Sequence, residues 1–274
     1  MADITIAFMT NYTLEIPHVE KQTETIESFY KVFKPDSMLK TIIYCDDKPL
    51  SKIEGTITLL DNTKYDDYRI VGKKYEENLL SIPLLKNAKF VKTNGLCDGY
   101  KQVIDNCETK YIFFLEHDWV FLDNIKHNLK QLIEIMDKNV DINNILFNKL
   151  DNTVKKFQKF YKSKHTDLPL LLTNRISNNP NIIRTMHAKD IRYPLINKEG
   201  CSIHPGIEFY YNINDMKLPN YCGGIECELC KYCNEDEDKV NILGTYLYGS
   251  YQYPPTIIHS DGCNRQLLHA NTFK

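Results

Sequence analysis

The feature that most constrains this chain is the stretch 110–115, Lys-Tyr-Ile-Phe-Phe-Leu, which is apolar at every position from 111 to 115 and stops abruptly at Glu116-His117-Asp118. A strand with one wet face alternates apolar and polar side chains. An unbroken apolar run is what a strand needs when both faces of its sheet are covered. Shorter stretches of the same kind lie at 4–10, 41–45, 68–71, 89–92 and 142–147. Between them, 19–33 places Ile26, Phe29, Tyr30 and Phe33 at helical spacing before Pro35, 97–107 predicts a helix after Asn94-Gly95, and Asn124 is the expected cap of a helix reaching about residue 137. Strands alternating with helices predict an α/β fold, a mostly parallel central sheet with helices on both faces.

Ligands of such sheets sit beyond the carboxyl ends of the strands. Thr10-Asn11, Asp46-Asp47, Asn94 and Glu116-His117-Asp118 all fall at expected strand ends, so they should gather on one rim. Past residue 150 the rhythm breaks. Residues 149–164 form a polar hairpin or solvated helix, and 178–181 a loop that caps a short helix at 182–189. Residues 206–211 make one or two helical turns, and 219–239 are an irregular, Cys-rich and acidic insertion. Residues 244–250 and 256–259 are strands returning to the sheet. With no repeat and no convincing linker, the expectation is one domain over 1–274, whose character changes between 1–150 and 151–274.

Composition narrows the function classes. The 274 residues carry 34 basic and 36 acidic side chains, a net charge of −2, which leaves no basic footprint for nucleic acid. With 42% hydrophobic and 26% charged residues, wholesale disorder is excluded. The chain opens without a basic n-region, and no window approaches the roughly 18 apolar residues of a membrane span. Nine cysteines is an odd number. A cytoplasmic protein with reduced thiols and no membrane span is therefore expected, clustered cysteines being the exception to test for metal. The basic residues divide into 29 Lys and 5 Arg, the codon bias of an AT-rich genome.

In an extended backbone Glu116 and Asp118 point the same way. Paired carboxylates at an open strand end suit Mg²⁺ or Mn²⁺, which take oxygen ligands together with substrate phosphates; the plainer alternative is a solvated loop with a capping Asp. The order of turn, helix, Lys-Tyr-Ile-Phe-Phe-Leu-Glu-His-Asp-Trp-Val-Phe and capped helix resembles the segment around the DxD motif of glycosyltransferases of the GT-A fold, over roughly residues 1–150 and 240–265. The Glu at the first position departs from the commoner Asp, which makes Asp118 the firmer ligand.

The resemblance implies a metal-dependent transfer of a sugar from a nucleotide-diphosphate sugar, UDP- or GDP-linked, to a glycan, protein or small-molecule acceptor. It implies a Mn²⁺ or Mg²⁺ ion on Glu116 and Asp118, joined by His259 from Thr256-Ile-Ile-His-Ser-Asp-Gly262. Thr10, Asn11 and Tyr12 would line the base and ribose pocket, Asp46 or Asp47 would reach the nucleoside, and Asp98 with Lys101 would lie on its far side. Glu208, within His204-Pro-Gly-Ile-Glu-Phe-Tyr-Tyr, is the candidate catalytic base, alongside Asp118. Arg265 and Lys101 would stabilise the leaving diphosphate, with Arg175 and Arg184 as weaker candidates, and Tyr193, Phe209, Tyr210, Tyr211 and Tyr221 would offer aromatic faces to the acceptor. The AT-rich bias suits a large DNA virus, for which the location is the host cytoplasm.

Cys222, Cys227, Cys230 and Cys233 put four thiols within twelve residues. Four thiolates can close a tetrahedral zinc site, although the usual arrangement separates two Cys-x2-Cys pairs by a longer loop. A partial site completed by His, or reduced thiols, are the alternatives. Two rival functions follow. A nucleotidyltransferase uses the same sheet and carboxylates, but the segment after the first strand, Thr-Asn-Tyr-Thr-Leu-Glu-Ile-Pro, lacks the Gly-rich basic loop that class carries. A zinc-stapled interaction module would account for the cysteines and leave the first 150 residues without a purpose.

Overall fold

The computed structural model describes residues 3–12, 18–47, 50–53, 56–59, 62–94, 96–154, 159–177, 179–196, 229, 232–233 and 236–260. Its centre is an eight-stranded sheet. β1 (Ile4–Asn11), β2 (Lys40–Asp46), β5 (Lys89–Thr93) and β6 (Tyr111–Glu116) run parallel, in the order β5-β2-β1-β6. Beyond β6 the order continues with β10 (Asn181–Arg184), β8 (Asn144–Leu146), β11 (Thr245–Tyr248) and β9 (Leu170–Leu172). β10 is antiparallel to both its neighbours, β8 and β11 are parallel, and β9 closes the edge antiparallel. Two small ladders stand apart: β3 (Leu50–Ile53) with β4 (Thr56–Leu59), and β7 (Trp119–Phe121) with β12 (Ile257–His259).

β6 carries the logic of the core. Tyr111 to Leu115 are all buried, and successive side chains go to opposite faces. Phe113 meets α1 (Glu20–Phe33), with ring centroids 4.8 Å from Phe29 and 5.3 Å from Phe33. Phe121 and Phe147 complete that aromatic cluster, at 5.9 and 5.8 Å from Phe113. Phe114 on the other face stacks on Tyr100 of α3 (Leu96–Asn106) at 4.4 Å. Helices therefore cover both faces, which is why the strand is apolar throughout. α2 (Tyr65–Ser81) shares the α1 face, since Gln22 and Thr10 both bond the Tyr75 hydroxyl. α4 (Leu129–Lys138) starts at Asn128 with a full capping box: Asn128 Oδ1 accepts from Gln131 N, and Gln131 Oε1 accepts from Asn128 N, both at 2.9 Å.

Several local expectations are corrected. Residues 68–71 lie inside α2, where Tyr68, Gly72, Tyr75 and Leu79 bury a helical stripe; four residues were too few to separate the two periods. Asn128, not Asn124, caps α4, while Asn124 Nδ2 donates to Pro255 O. The stretch 182–184 is strand, because Ile182 and Ile183 bury between β6 and β8, and the helical run 185–196 starts only at Thr185. Residues 149–154 and 159–164 hold no helix; Phe160 instead bridges Thr173. β12 pairs with β7 instead of rejoining the main sheet. Gly206 to Tyr211, and most of 219–239, lie outside the described residues.

Candidate functional site

β6 ends at Glu116, residues 117–118 make a tight turn, and the chain leaves the main sheet as β7. Three bonds fix that turn: His117 N donates to Met9 O at 3.0 Å, Thr25 Oγ1 of α1 donates to His117 O at 2.8 Å, and Phe121 N donates to Ser28 Oγ at 3.1 Å. On the far side β12 lies antiparallel with His259 opposite Trp119, and Ser260 N donates to Asp118 O at 2.8 Å. Asp118 and His259, 141 residues apart in sequence, are thereby brought together: His259 Nε2 lies 2.9 Å from Asp118 Oδ2, with both side chains about four-fifths buried. The His259 ring meets the edge of Trp119 at 4.5 Å.

Burial works to raise the Asp118 pKa, but the hydrogen bond from His259 and the charges of His117 and His259 outweigh it, and the carboxyl is held below the ordinary range. For His117 burial dominates and lowers its pKa despite the neighbouring Asp118 charge. Three polar atoms in this corner are buried with no hydrogen-bond partner: Asp118 Oδ1, Trp119 Nε1 and Ser260 Oγ. Native structures leave few such groups unexplained, and their concentration at one strand end marks a place built for something polar.

Glu116 is not gathered into this pair. It sits opposite Met9 in register, and Met9 and Phe114 face α3, so the β-alternation places Glu116 on that side. The turn at 117–118 breaks the extended geometry on which a shared direction depended. Among the described residues no group of three or more His, Cys, Asp or Glu side chains stands close enough to hold a metal ion. The donor set still suits a divalent ion of the Mg²⁺ or Mn²⁺ kind. An ionised carboxylate with an unsatisfied buried oxygen and an imidazole beside it leave the remaining positions to substrate oxygens.

The other rim residues are placed as follows. Thr10 points toward α2 and bonds the Tyr75 hydroxyl at 2.5 Å, so it is core and not pocket wall. Asn11 ends β1 exposed, in register with Asp46 at the end of β2. Tyr12 is 3% exposed. Its ring stacks on Tyr68 at 4.5 Å and 21°, its hydroxyl donates to Asp47 Oδ1 at 2.5 Å, and it lies against Gly72. Asp47 Oδ2 pairs with Lys92 at 3.1 Å. The expected base pocket is thus filled by the protein's own tyrosine. Burial, then the Asp47 bond, raises the Tyr12 pKa far above the ordinary phenol value, so it remains a donor.

Asp98 accepts from Asn94 N at 2.8 Å and Gln102 Nε2 at 2.7 Å, which holds the start of α3. Lys101 is exposed and lies over the Tyr193 ring at 5.7 Å. Arg184 is at the wrong end of β6 for a leaving group: it bonds Tyr111 Oη, Ile142 O, Asn139 O and Met136 O, tying off the last turn of α4. Glu208, Arg265, Cys222, Cys227, Cys230, Phe209, Tyr210, Tyr211 and Tyr221 lie outside the described residues. Cys233 is a buried free thiol whose pKa burial pushes up to about 11. Tyr68, Lys92, Trp119, Lys149 and Ser260 join the rim without having been foreseen; the position of Trp119, directly after Asp118, was the one available signal. A shallow groove of about 500 Å³ along α4, lined by His127, Gln131, Glu134 and Asp167 among others, contains none of these residues.

No family model matches the chain, and no curated protein does. Solved structures with a related arrangement include the TarS fragment 1–349 of S. aureus, at 15% identity and a TM-score of 0.36 over 69% of this chain. The same fragment in complex with UDP-GlcNAc gives 16% and 0.37. The chain spans about half the length of these fragments, 49% and 47%. HddC from Yersinia pseudotuberculosis matches at 10% identity and a TM-score of 0.40, over 98% of this chain and 99% of that one. Likenesses this distant carry nothing about activity or ligand. Among the described residues no helix is long and apolar enough to cross a membrane.

Proposed function

We propose that this protein is a metal-dependent glycosyltransferase of the GT-A type, which takes a sugar from a nucleotide-diphosphate sugar and passes it to a hydroxyl acceptor. The observation that carries this reading is the Asp118–His259 pair at the carboxyl end of the central strand, with a buried carboxylate oxygen and the Ser260 hydroxyl left unpaired beside it. Asp118 and His259 would hold Mn²⁺ or Mg²⁺, without Glu116, whose side chain goes to the α3 side of the sheet. When bound, the ion supplies positive charge to the diphosphate.

The reaction breaks the bond between the sugar's anomeric carbon and the β-phosphate oxygen, which keeps the electron pair. The acceptor oxygen forms the new bond, and its proton goes to a carboxylate base, for which Glu208 is the proposal. The residues of the corner orient the diphosphate and exclude water from it. The nucleoside would enter the slot between Tyr68 and the Asp47–Lys92 pair, turning Tyr12 out as it binds. Arg265 and Lys101 remain proposals for the diphosphate side. The rival nucleotidyltransferase reading is weakened by the Thr10 to Pro17 segment, which has no Gly-rich basic loop after β1.

A thermal-shift panel of UDP-, GDP-, CMP- and dTDP-sugars, each with and without Mn²⁺, tests this. A ligand that binds only the native state stabilises it by about 2.7 kcal/mol at 100 times its Kd. A metal-dependent shift with one nucleotide class supports the transferase and identifies the donor. No shift with any pair refutes it.

A further inference from the structure

One step beyond the His259–Trp119 pair, the ladder of β12 and β7 sets Ser260 opposite Asp118. Ser260 N donates to Asp118 O at 2.8 Å, which makes the two a hydrogen-bonded cross-strand pair. The Cβ atoms of directly opposed residues lie about 4.5–5.5 Å apart, on one face of the ribbon. Both ends of this short ladder are tied down. Leu122 N donates to Thr256 O at 2.9 Å, Thr256 N to Asn148 O at 2.8 Å, and Asn148 N to Thr256 Oγ1 at 2.9 Å. At the other end Thr25 Oγ1 of α1 holds His117 O. Asp118 and Ser260 are thus presented by a backbone fastened to α1 and to the segment after β8.

The unpartnered atoms of this corner sort by their chemistry. Trp119 Nε1 is a donor only, so it serves an acceptor and ligates nothing. Asp118 Oδ1 belongs to a carboxylate held below the ordinary pKa range, and offers lone pairs alone. Ser260 Oγ carries one proton and two lone pairs. Opposed as they are, the carboxylate and the hydroxyl stand within reach of a mutual hydrogen bond, yet Oδ1 and Oγ are each buried without a partner. An anion between them would be repelled by the carboxylate. A hard cation is the species that a carboxylate oxygen and a hydroxyl oxygen hold in common, each through a lone pair.

We infer that the Ser260 hydroxyl is a ligand of the divalent ion, beside Asp118 and His259, in the place that Glu116 does not take. This rests on the metal-dependent reading above and adds to it a ligand that motif spacing did not identify. One carboxylate, one imidazole and one hydroxyl bring a single negative charge to the ion. Such a set holds it loosely until phosphate oxygens and water fill the remaining positions.

Mn²⁺ is titrated into the full chain and into its Ser260→Ala and Ser260→Cys variants, with UDP, with GDP and with no nucleotide. Electron spin resonance counts the free ion, and the fluorescence of Trp119, the single tryptophan, reports the corner. Cd²⁺ is titrated in parallel. The nine native cysteines are common to all three proteins, so the difference between Ser260→Cys and Ser260→Ala isolates the new thiol. The expected result is that Ser260→Ala weakens Mn²⁺ by about tenfold or more while its unfolding stays cooperative. Ser260→Cys should be as weak toward Mn²⁺ and bind Cd²⁺ about tenfold more tightly than Ser260→Ala, because a thiolate prefers a softer ion. A serine that only steadied Asp118 from outside the coordination shell would lower Mn²⁺ affinity without changing which metal is preferred. Equal Mn²⁺ affinity in Ser260→Ala and parent overturns the inference, as does a Ser260→Cys variant with no gain for Cd²⁺. If the parent takes up no Mn²⁺ with either nucleotide, the metal-dependent reading fails and the inference with it, a result visible in the parent alone.

Discussion

The Tyr12 ring and Gly72 are locked together, and the lock predicts a change of sign. A Cβ built on Gly72 would fall 2.6 Å from Tyr12 Cζ and closer still to its hydroxyl, well inside van der Waals contact. Gly72 lies in the middle of α2, where alanine is favoured over glycine by about 0.8–1.0 kcal/mol. In the parent protein that gain is overwhelmed. Gly72→Ala must expel a buried ring, which forfeits about 1.5–3 kcal/mol of burial and a hydrogen bond to Asp47 of about 0.5–1.5 kcal/mol. The net expectation is destabilisation by about 1–3.5 kcal/mol. In a Tyr12→Ala background the obstacle is gone, and the same Gly72→Ala change should stabilise by up to about 1 kcal/mol. Urea denaturation of the four members of the cycle measures both numbers, and the coupling should exceed about 2 kcal/mol. If Gly72→Ala has the same effect with and without Tyr12, the ring is not seated where the structure puts it. Because the proposed nucleoside must also displace Tyr12, Gly72→Ala should in addition tighten nucleotide binding by removing a competing occupant.

Two further outcomes follow from the interior. Burial, then the charges of Arg192 and Arg184, lower the His187 pKa to about 3, so the folded state resists protonation that the unfolded chain accepts near pH 6.5. The unfolded state binds more protons below that value, so stability is complete above about pH 6.5 and declines as pH falls toward 3. His187→Leu should flatten the pH profile of the urea midpoint over this window, and an unchanged slope would show that another group sets it. Phe113→Ala empties the centre of the cluster formed with Phe29, Phe33, Phe121 and Phe147, and should cost about 3–5 kcal/mol by thermal or urea unfolding; a cost below about 1 kcal/mol would contradict the packing.

How much could be read from the residues alone differs from place to place. Tyr111 to Leu115 announced a doubly covered strand because burial on both faces leaves no room for alternation, and Phe113 against α1 with Phe114 against α3 shows the reason. The meeting of Asp118 with His259 was expected only through the family resemblance, which brings a His from a late strand to the carboxylates; β12 delivers it by pairing with β7 and not by rejoining the main sheet. Where short-range signals competed, they misled. Tyr68 to Val71 satisfied a strand pattern for four residues, but only the wider spacing to Tyr75 and Leu79 reveals α2. Ile182 and Ile183 followed a capping-like Asn cluster, yet a vacancy between β6 and β8 drew them into the sheet. The seat of Tyr12 was out of reach for a different reason. It depends on Asp47, Tyr68 and Gly72 converging from separate elements, and no local spacing encodes that. Lys149 was hidden likewise, since its place over Trp119, with Nζ 5.8 Å from the ring centroid, follows from the Asn148–Thr256 bonds.

The proposed site turns on Asp118, in the turn that follows β6. Isothermal titration of the donor nucleotide into the parent protein and into Asp118→Asn, each with and without Mn²⁺, measures it directly. Asn keeps the side chain's shape and a polar contact for His259 while removing the charge. The prediction is metal-dependent binding in the parent and a loss of at least a hundredfold in Asp118→Asn, with the unfolding transition still cooperative. Equal affinity and equal metal dependence in the two proteins would contradict the assignment of the site to Asp118 and His259.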